Sequence, residues 1–181
     1  VLWLPALHGW RLGLALLVAI VLARQAFGGL GKYPFHPAMA GAAFAQFAFG
    51  AAPATVQGPG WLALAWLLGG LALCALRIAR WQAPLGLFAG ALLASACSGR
   101  TPMELASAPW VLAAFFILVE PTSGCESRPA RWLFAVTVGA LTVLASPPGQ
   151  LAALPFALLA MNALAPALDR WLEPRARAVA P

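Results

Sequence analysis

Charge is scarce in this chain: of 181 residues only 9% are Asp, Glu, Lys or Arg, and only five are acidic. A soluble domain needs a charged shell, and a sequence that is 62% hydrophobic with a mean hydropathy of +0.85 cannot bury that much apolar surface in its own core. Cysteine is equally sparse. Cys74, Cys97 and Cys125 are isolated, with no Cys-x-x-Cys pair, so neither a disulfide framework nor a metal site can be read from them. The two histidines, His8 and His36, have no second ligand at helical spacing, and no metal is expected. No nucleophile stands beside a base, and no phosphate loop or Cys-rich cluster is present, so no catalytic residue is nominated. The chain starts at Val1 without a charged-then-apolar leader and cleavage site, so membrane insertion is expected to rely on the first span itself.

What the sequence does contain is a series of apolar blocks, near 9–27, 38–56, 60–76, 81–98, 103–119, 132–147 and 150–170. Each is close to the roughly 20 residues that a helix needs to cross a bilayer. They are rich in Ala, Leu and Gly, with small-residue faces at Gly69 and Gly70 and at Gly86 and Gly90 that permit close helix approach. The expectation is an all-α integral membrane protein of about seven transmembrane helices, a single transmembrane domain over 1–181, with no room for an appended soluble module. A transmembrane barrel would need alternating strands instead.

The excess of eleven Lys and Arg over five acids gives +6, which in a soluble protein would suggest nucleic acid. Here the charges lie between apolar blocks, and membrane topology explains them better. Alternation places Arg24, Lys32, Arg77, Arg80, Arg128, Arg131, Arg170, Arg175 and Arg177 on one face, leaving only Arg11 and Arg100 on the other. The positive-inside rule assigns the richer face to the cytoplasm, with the amino end outside and the carboxyl end inside. An odd span count with an external start suggests that longer relatives possess amino-terminal helices absent here. Trp10, Trp61, Trp81, Trp132 and Trp171 fall at span ends, where indoles favour the headgroup zone.

Two segments interrupt the oily pattern. The first runs from Phe27 through Gly28, Gly29, Leu30, Gly31, Lys32, Tyr33, Pro34, Phe35, His36 and Pro37 to Met39. Its glycines free the backbone, while Pro34 and Pro37 remove donors and restrict the residues before them. It reads as a re-entrant binding loop or as a tight cytoplasmic connection. The second is Glu120-Pro121-Thr122-Ser123-Gly124-Cys125-Glu126-Ser127. Glu120 at a span end either marks an ion or proton route, with Thr122 and Ser123 as companions, or lies in water beside Arg128 or Arg131; alternatively Thr122 and Ser123 cap a helix. Each break follows an odd-numbered span on the cytoplasmic side, a weak internal repeat. Weaker features remain elsewhere. Ser98-Gly99-Arg100-Thr101-Pro102 is an external turn or a phosphate-holding loop. Asn162 and Asp169 in the last span are expected to make interhelical contacts or reach the interface.

At these breaks the sequence resembles the RnfD family, membrane subunits of the Rnf ion-translocating electron transport complex, related to the NqrB component of the sodium-pumping NADH:quinone oxidoreductase. Gly28-Gly29-Leu30-Gly31-Lys32-Tyr33-Pro34-Phe35-His36-Pro37-Ala38-Met39 is similar to the family's Gly-Gly-x-Gly-x-Asn-Pro-Phe-Asn-Pro-Ala-Met, with Tyr33 and His36 in place of two Asn. Phe115 to Thr122 resembles Phe-Phe-Ile-x-Thr-Asp-Pro-Val, Arg131 to Phe134 resembles Arg-Leu-Ile-Phe, and Leu159 to Asp169 continues in the family's carboxyl-terminal pattern through Pro174-Arg175.

The resemblance implies a flavin-carrying component of a bacterial inner-membrane complex that passes electrons while moving sodium ions or protons. Its partners would be the other Rnf-type subunits and the lipid bilayer. In the family FMN is esterified to a Thr in a Ser-x-Ala-Thr type motif within an external region that is missing here, where Gln57-Gly58-Pro59-Gly60 leads directly into the next span. Ser98-Gly99-Arg100-Thr101 has the outline of that motif at a later position, which makes Thr101 a candidate for covalent FMN. Gly28, Gly29, Gly31, Pro34, His36 and Pro37 are candidates for holding FMN or riboflavin non-covalently. The resulting reading is a shortened RnfD-like component of an ion-translocating oxidoreductase, working with partners rather than catalysing alone. The competing reading is a cofactor-free scaffold or small-solute channel.

Overall fold

The computed structural model describes residues 9–29, 31–51, 60–120 and 122–172. His8, Leu30, the Gln57-Gly58-Pro59 connection, Pro121, Pro174, Arg175 and Arg177 lie outside them. Among the described residues every regular element is helical. Helix α1 (Trp10–Leu17) continues as a π-helical segment (Val18–Gln25). Helices α2 (Pro37–Phe49), α3 (Gly60–Ala75) and α4 (Gln82–Ser98) follow. A 3₁₀ turn (Pro102–Ala106) leads to the short α5 (Ala108–Leu112), which also passes into a π-helical segment (Ala113–Ile117). Helices α6 (Arg128–Ala145) and α7 (Leu154–Leu172) complete the bundle.

No helix among the described residues is long and apolar enough to cross a membrane. The expected continuous spans are shortened or divided for identifiable reasons. The block near 38–56 is helical only to Phe49, where Gly50 takes a left-handed cap. The block near 103–119 is split by Pro102, Ser107 and Pro109 into a 3₁₀ turn, an α-helical turn and a π-helical turn. Helix α6 starts earlier than expected and so takes in Arg128 and Arg131, while α7 carries Asn162, Pro166, Asp169 and Arg170.

Packing is by small residues facing in and large ones facing out. On α4, Gly86, Gly90, Ala91 and Ala94 are buried, whereas Leu85, Leu92 and Leu93 are exposed. A Cβ on Gly90 would lie 1.9 Å from the Val136 carbonyl oxygen, and one on Gly139 would lie 2.1 Å from that of Leu87. The two backbones are therefore in direct contact. Gly86 meets Trp132 and Ala135 while Gly139 meets Leu87 and Ala91, so residue numbers rise together along both helices and α4 and α6 run parallel. Gly41 of α2 similarly meets the Ala15 carbonyl of α1, and Gly70 of α3 meets Phe115.

Parallel packing puts the starts of α4 and α6 at one end of the bundle, where Trp81 and Trp132 stack edge to face at 5.7 Å. The Asp169 carboxylate near the end of α7 reaches the same end and accepts from Glu126 N and Ser127 N. Arg24, Lys32, Arg77, Arg80, Arg128, Arg131 and Arg170 belong to this end. Arg100, whose guanidinium donates to the Val143 carbonyl near the finish of α6, lies at the other end. Arg11, beside Trp10 and Phe49, does too.

Candidate functional site

Both breaks are built alike. Each follows a helix whose last residues widen into a π-helical turn, and each ends at a capped helix start with proline in its first turn. In the first, Gly28, Gly29 and Gly31 have φ of 103°, 84° and 82°, a region that residues with a Cβ rarely adopt, and they reverse the chain after α1. His36 is the N-cap of α2: its Nδ1 accepts from Met39 N at 3.4 Å, and Pro37 occupies the first helical position. In the second, the cap of α6 is Ser127, whose Oγ accepts from Ala130 N at 3.3 Å. Thr122 and Ser123, expected as possible caps, lie too far before the helix start to serve it.

The breaks touch. The Tyr33 hydroxyl donates to Glu120 Oε1, across 87 residues of sequence. His36 Nε2 lies 3.1 Å from Glu120 Oε2, close enough for an ion pair but too far off line for a hydrogen bond, so this buried oxygen has no hydrogen-bond partner. Because Nδ1 is spent as an acceptor, the neutral imidazole carries its proton on Nε2. Burial lowers the His36 pKa against the opposing pull of Glu120, and keeps the ring neutral near pH 7. The hydrogen bond to Glu120 raises the Tyr33 pKa, and burial adds to it.

Helix α7 braces the junction from the side. Asn162 is 2% exposed, and its amide orientation follows from its neighbours: the oxygen accepts from His36 N and the nitrogen donates to the Ser123 carbonyl, each at 3.0 Å. One side chain thus holds the backbone of both breaks. Two turns further on, Asp169 Oδ1 and Oδ2 each accept at 2.9 Å, from Ser127 N and Glu126 N. Pro166 lies between them inside the helix and has no N–H to offer the Asn162 carbonyl four residues back.

Beside the junction is a cavity of about 490 Å³, lined by residues including Pro34, Thr122, Ser123, Asn162, Asp169 and Arg170. A second, of about 30 Å³, lies behind Glu120 among Arg80, Cys125 and Arg131, and Gly124 lines both. The larger one is within the size range of small-molecule sites, and its mixed lining suits a ring system with polar edges. Among the described residues of the first break only Pro34 reaches it; Gly28, Gly29, Gly31, His36 and Pro37 do not. Between the breaks themselves Tyr33 and His36 fill the space against Glu120.

Thr101 is not brought to this site. It is exposed at the opposite end of the bundle, before the 3₁₀ turn, and shares with Arg100 and Glu104 a cavity of only about 10 Å³. Arg100, a possible phosphate ligand from sequence, is engaged with the Val143 carbonyl. Nothing local in the sequence marks Tyr33 as a site residue; only its contact with Glu120 does. Asn162 is visible as a polar residue in an apolar helix, but its two partners are not.

The model of the NQR2, RnfD, RnfE family matches residues 2–62 and 54–178. The chain is 30% identical over 241 residues to the ion-translocating oxidoreductase complex component RnfD of Pseudomonas paraeruginosa (strain DSM 24068 / PA7), an alignment covering 95% of this chain and 70% of the relative. The protein of the same name from Marinobacter nauticus (strain ATCC 700491 / DSM 11845 / VT8) is 28% identical over 238 residues, covering 92% and 68%. That from Pseudomonas aeruginosa (strain LESB58) is 38% identical over 128 residues, but these span only 65% of this chain and 37% of the relative. The two long alignments exceed the 181 residues of the chain, so those relatives carry internal segments with no counterpart here.

Proposed function

The chain belongs to the NQR2, RnfD, RnfE family, and from that premise we propose that it is a membrane component, like RnfD, of an Rnf-type ion-translocating oxidoreductase complex. In this reading it takes part in flavin-mediated electron transfer coupled to sodium or proton transport. The observation that carries the proposal is the junction itself: two interrupted helices, matched in sequence to the family, meet at a carboxylate beside a cavity of small-molecule size. A bilayer setting is supported by the exposed apolar surface, with Leu64, Leu68, Leu71, Leu92 and Leu93 turned outward and glycine and alanine inward. The segregation of seven basic residues at the junction end supports a cytoplasmic location for that end, with the amino end outside.

The flavin, FMN or riboflavin, belongs in the cavity of about 490 Å³, where Pro34 and Ala165 offer apolar contact and Thr122, Ser123 and Arg170 offer polar contact. When bound, the flavin supplies the one-electron relay; the chain positions it and excludes water from one side. Glu120, Thr122 and Ser123 are the ion-linked candidates of this reading: Thr122 and Ser123 line the same cavity, and Glu120 lines the small pocket beside it. Partner subunits supply the remaining electron path.

The test is purification of the chain from native membranes under gentle conditions, followed by visible spectroscopy and identification of co-purifying proteins. Flavin absorption together with redox partner subunits is the expected result. A colourless chain without such partners would favour a cofactor-free scaffold or a small-solute channel. Covalent attachment is read separately: flavin fluorescence on a denaturing gel that disappears in Thr101→Ala assigns FMN to that hydroxyl, and unchanged fluorescence or none removes it.

A further inference from the structure

We propose that Arg80, Arg128 and Arg131, with the indoles of Trp81 and Trp132 beside them, form a binding site for the phosphate of an anionic phospholipid whose acyl chains lie along the exposed face of α4. The site rests on the bilayer setting proposed above and on neither the flavin nor the partner subunits.

The loop before α4 and the first turn of α6 bring the guanidiniums together. Because the two helices start side by side, Arg80 and Arg131 line one small pocket, and Trp81 and Trp132 stack next to them at 5.7 Å. Arg131 is held in place by backbone alone: its Nε and Nη2 donate to the Ser127 and Glu126 carbonyls at 3.3 and 3.0 Å. Among the described residues none of the three arginines forms an ion pair. Glu120 lines the same pocket, but its carboxylate oxygens are turned to Tyr33 and His36. Asp169 already accepts from Glu126 N and Ser127 N. Burial, and after it the charges of Arg80 and Arg128, lower the Arg131 pKa from its ordinary value, yet a guanidinium stays charged and the three cations repel one another.

These cations also stand at the wrong ends of their helices. The amino-terminal end of a helix carries partial positive charge, and acids are the stabilising residues there. Neither α4 nor α6 has an acid in its first turn; Arg128 and Arg131 occupy that of α6, and Arg80 directly precedes Trp81, the N-cap of α4, whose side chain makes no capping bond. Two parallel helix ends and three guanidiniums therefore converge without an anion among them. A phosphodiester supplies the missing charge and matches the guanidinium fork.

The surroundings select a lipid. Leu76-Arg77-Ile78-Ala79-Arg80-Trp81 leads into the site, and Leu76 and Ile78 are each 69% exposed. Arg77 has φ of 58° at the turn that ends α3, where its N–H bonds the Cys74 carbonyl and that of Ile78 bonds the Leu73 carbonyl, each at 3.0 Å. Glycine is the ordinary residue at such a turn, so a further cation is kept here at a cost in backbone strain. From Trp81 the exposed side chains of Leu85 and Leu92 continue along α4. Cations and indoles at headgroup level above an apolar helix face fit a negatively charged headgroup with acyl chains. An acidic protein face would match the arginines and leave Leu76, Ile78 and Leu85 unmatched.

The experiment uses the full chain, purified from membranes in an uncharged detergent with the subunits that accompany it. Quenching of tryptophan emission is followed as phosphatidylglycerol with brominated acyl chains is added, and compared with brominated phosphatidylcholine. Phosphatidylglycerol is expected to quench at a concentration lower by about fivefold or more, the factor that a single arginine contributes near an anionic lipid. That preference should vanish in Arg80→Gln combined with Arg128→Gln, and in Trp81→Phe combined with Trp132→Phe, but persist in Arg24→Gln, which removes a cation elsewhere at the same end. Equal quenching by the two lipids overturns the site and leaves the bilayer reading standing, whereas quenching by neither overturns both. A preference abolished equally by Arg24→Gln overturns the site as well, since any charge at that end would then serve. Displacement of the lipid by inorganic phosphate or by polyglutamate, beyond that caused by sodium chloride at equal ionic strength, assigns the patch to a free anion or an acidic protein and is equally contrary. Among the described residues the side chains of Arg80 and Arg128 donate no hydrogen bond, so their glutamine variants are expected to fold; should they not, the comparison of lipids on the wild-type chain still decides.

Discussion

Asn162→Ala is the perturbation with the sharpest consequence. The side chain is 2% exposed and holds two backbone groups, His36 N and the Ser123 carbonyl, at 3.0 Å each. Alanine satisfies neither. Leaving a buried donor or acceptor unpaired costs about 1–3 kcal/mol, so the pair together gives about 2–6 kcal/mol. For a chain of this size each kcal/mol lowers Tm by roughly 2–4 °C, so the fall should be at least about 4 °C. The assay is thermal unfolding of the purified chain in detergent or nanodiscs, followed by intrinsic fluorescence of its eight tryptophans. Asn162→Asp keeps an acceptor for His36 N but has no donor for the Ser123 carbonyl and adds a buried charge, so it should be at least as damaging. A melting temperature within about 1 °C of wild type for Asn162→Ala would refute the reasoning, because a brace worth less than about 0.5 kcal/mol is no brace.

Four further outcomes follow from the same geometry. Asp169→Ala removes the acceptor of two N–H bonds of 2.9 Å ahead of α6 and should cost about 1–3 kcal/mol in the same melt, with Asp169→Asn intermediate because one acceptor remains. Gly90→Ala would put a methyl 1.9 Å from the Val136 carbonyl oxygen, prising α4 from α6; a loss of about 1–3 kcal/mol or more is expected, whereas Gly13→Ala, with nothing within 4 Å, should change little. Since burial lowers the His36 pKa, the unfolded chain binds more protons below about pH 6.5; stability should fall as pH drops through that region, and the fall should be shallower in His36→Gln. Maleimide should label exposed Cys97 readily and leave Cys125 unlabelled until unfolding, because burial pushes the Cys125 thiol up to about 12.

Much of the architecture is legible in the residues, for reasons that can be named. Clusters of glycine and proline announce both breaks, since neither residue favours a helix interior, and the split of basic residues between two faces reappears as a split between the ends of the bundle. Helix lengths are less legible. Hydropathy alone carries the second block on to 56, but Gly50 stops α2 with a left-handed cap; it likewise fuses 103–119 into one block that Pro102, Ser107 and Pro109 divide. At the site, Glu120 stands out as an acid among apolar neighbours, and the glycines of the first break stand out as potential ligand contacts. The glycines instead turn the chain, and contact falls to Tyr33 and His36. A tyrosine 87 residues away has no local signature, because that pairing is created by the packing of α1, α2 and α7. Thr122 and Ser123 look like caps of α6 because any hydroxyl before an apolar run does; Ser127 is the one at the right distance.

The central claim is that the two breaks form one site, and cross-linking in native membranes measures this most directly. Pro34→Cys and Thr122→Cys would be combined in a background with Cys74 and Cys97 replaced by Ala, and treated with a short bifunctional maleimide. Both positions line the cavity of about 490 Å³, so an intramolecular cross-link that protease mapping places between them is the predicted result. Pro34→Cys paired with Thr101→Cys, at opposite ends of the bundle, should give none. Equal or absent cross-linking in the two pairs would contradict the account.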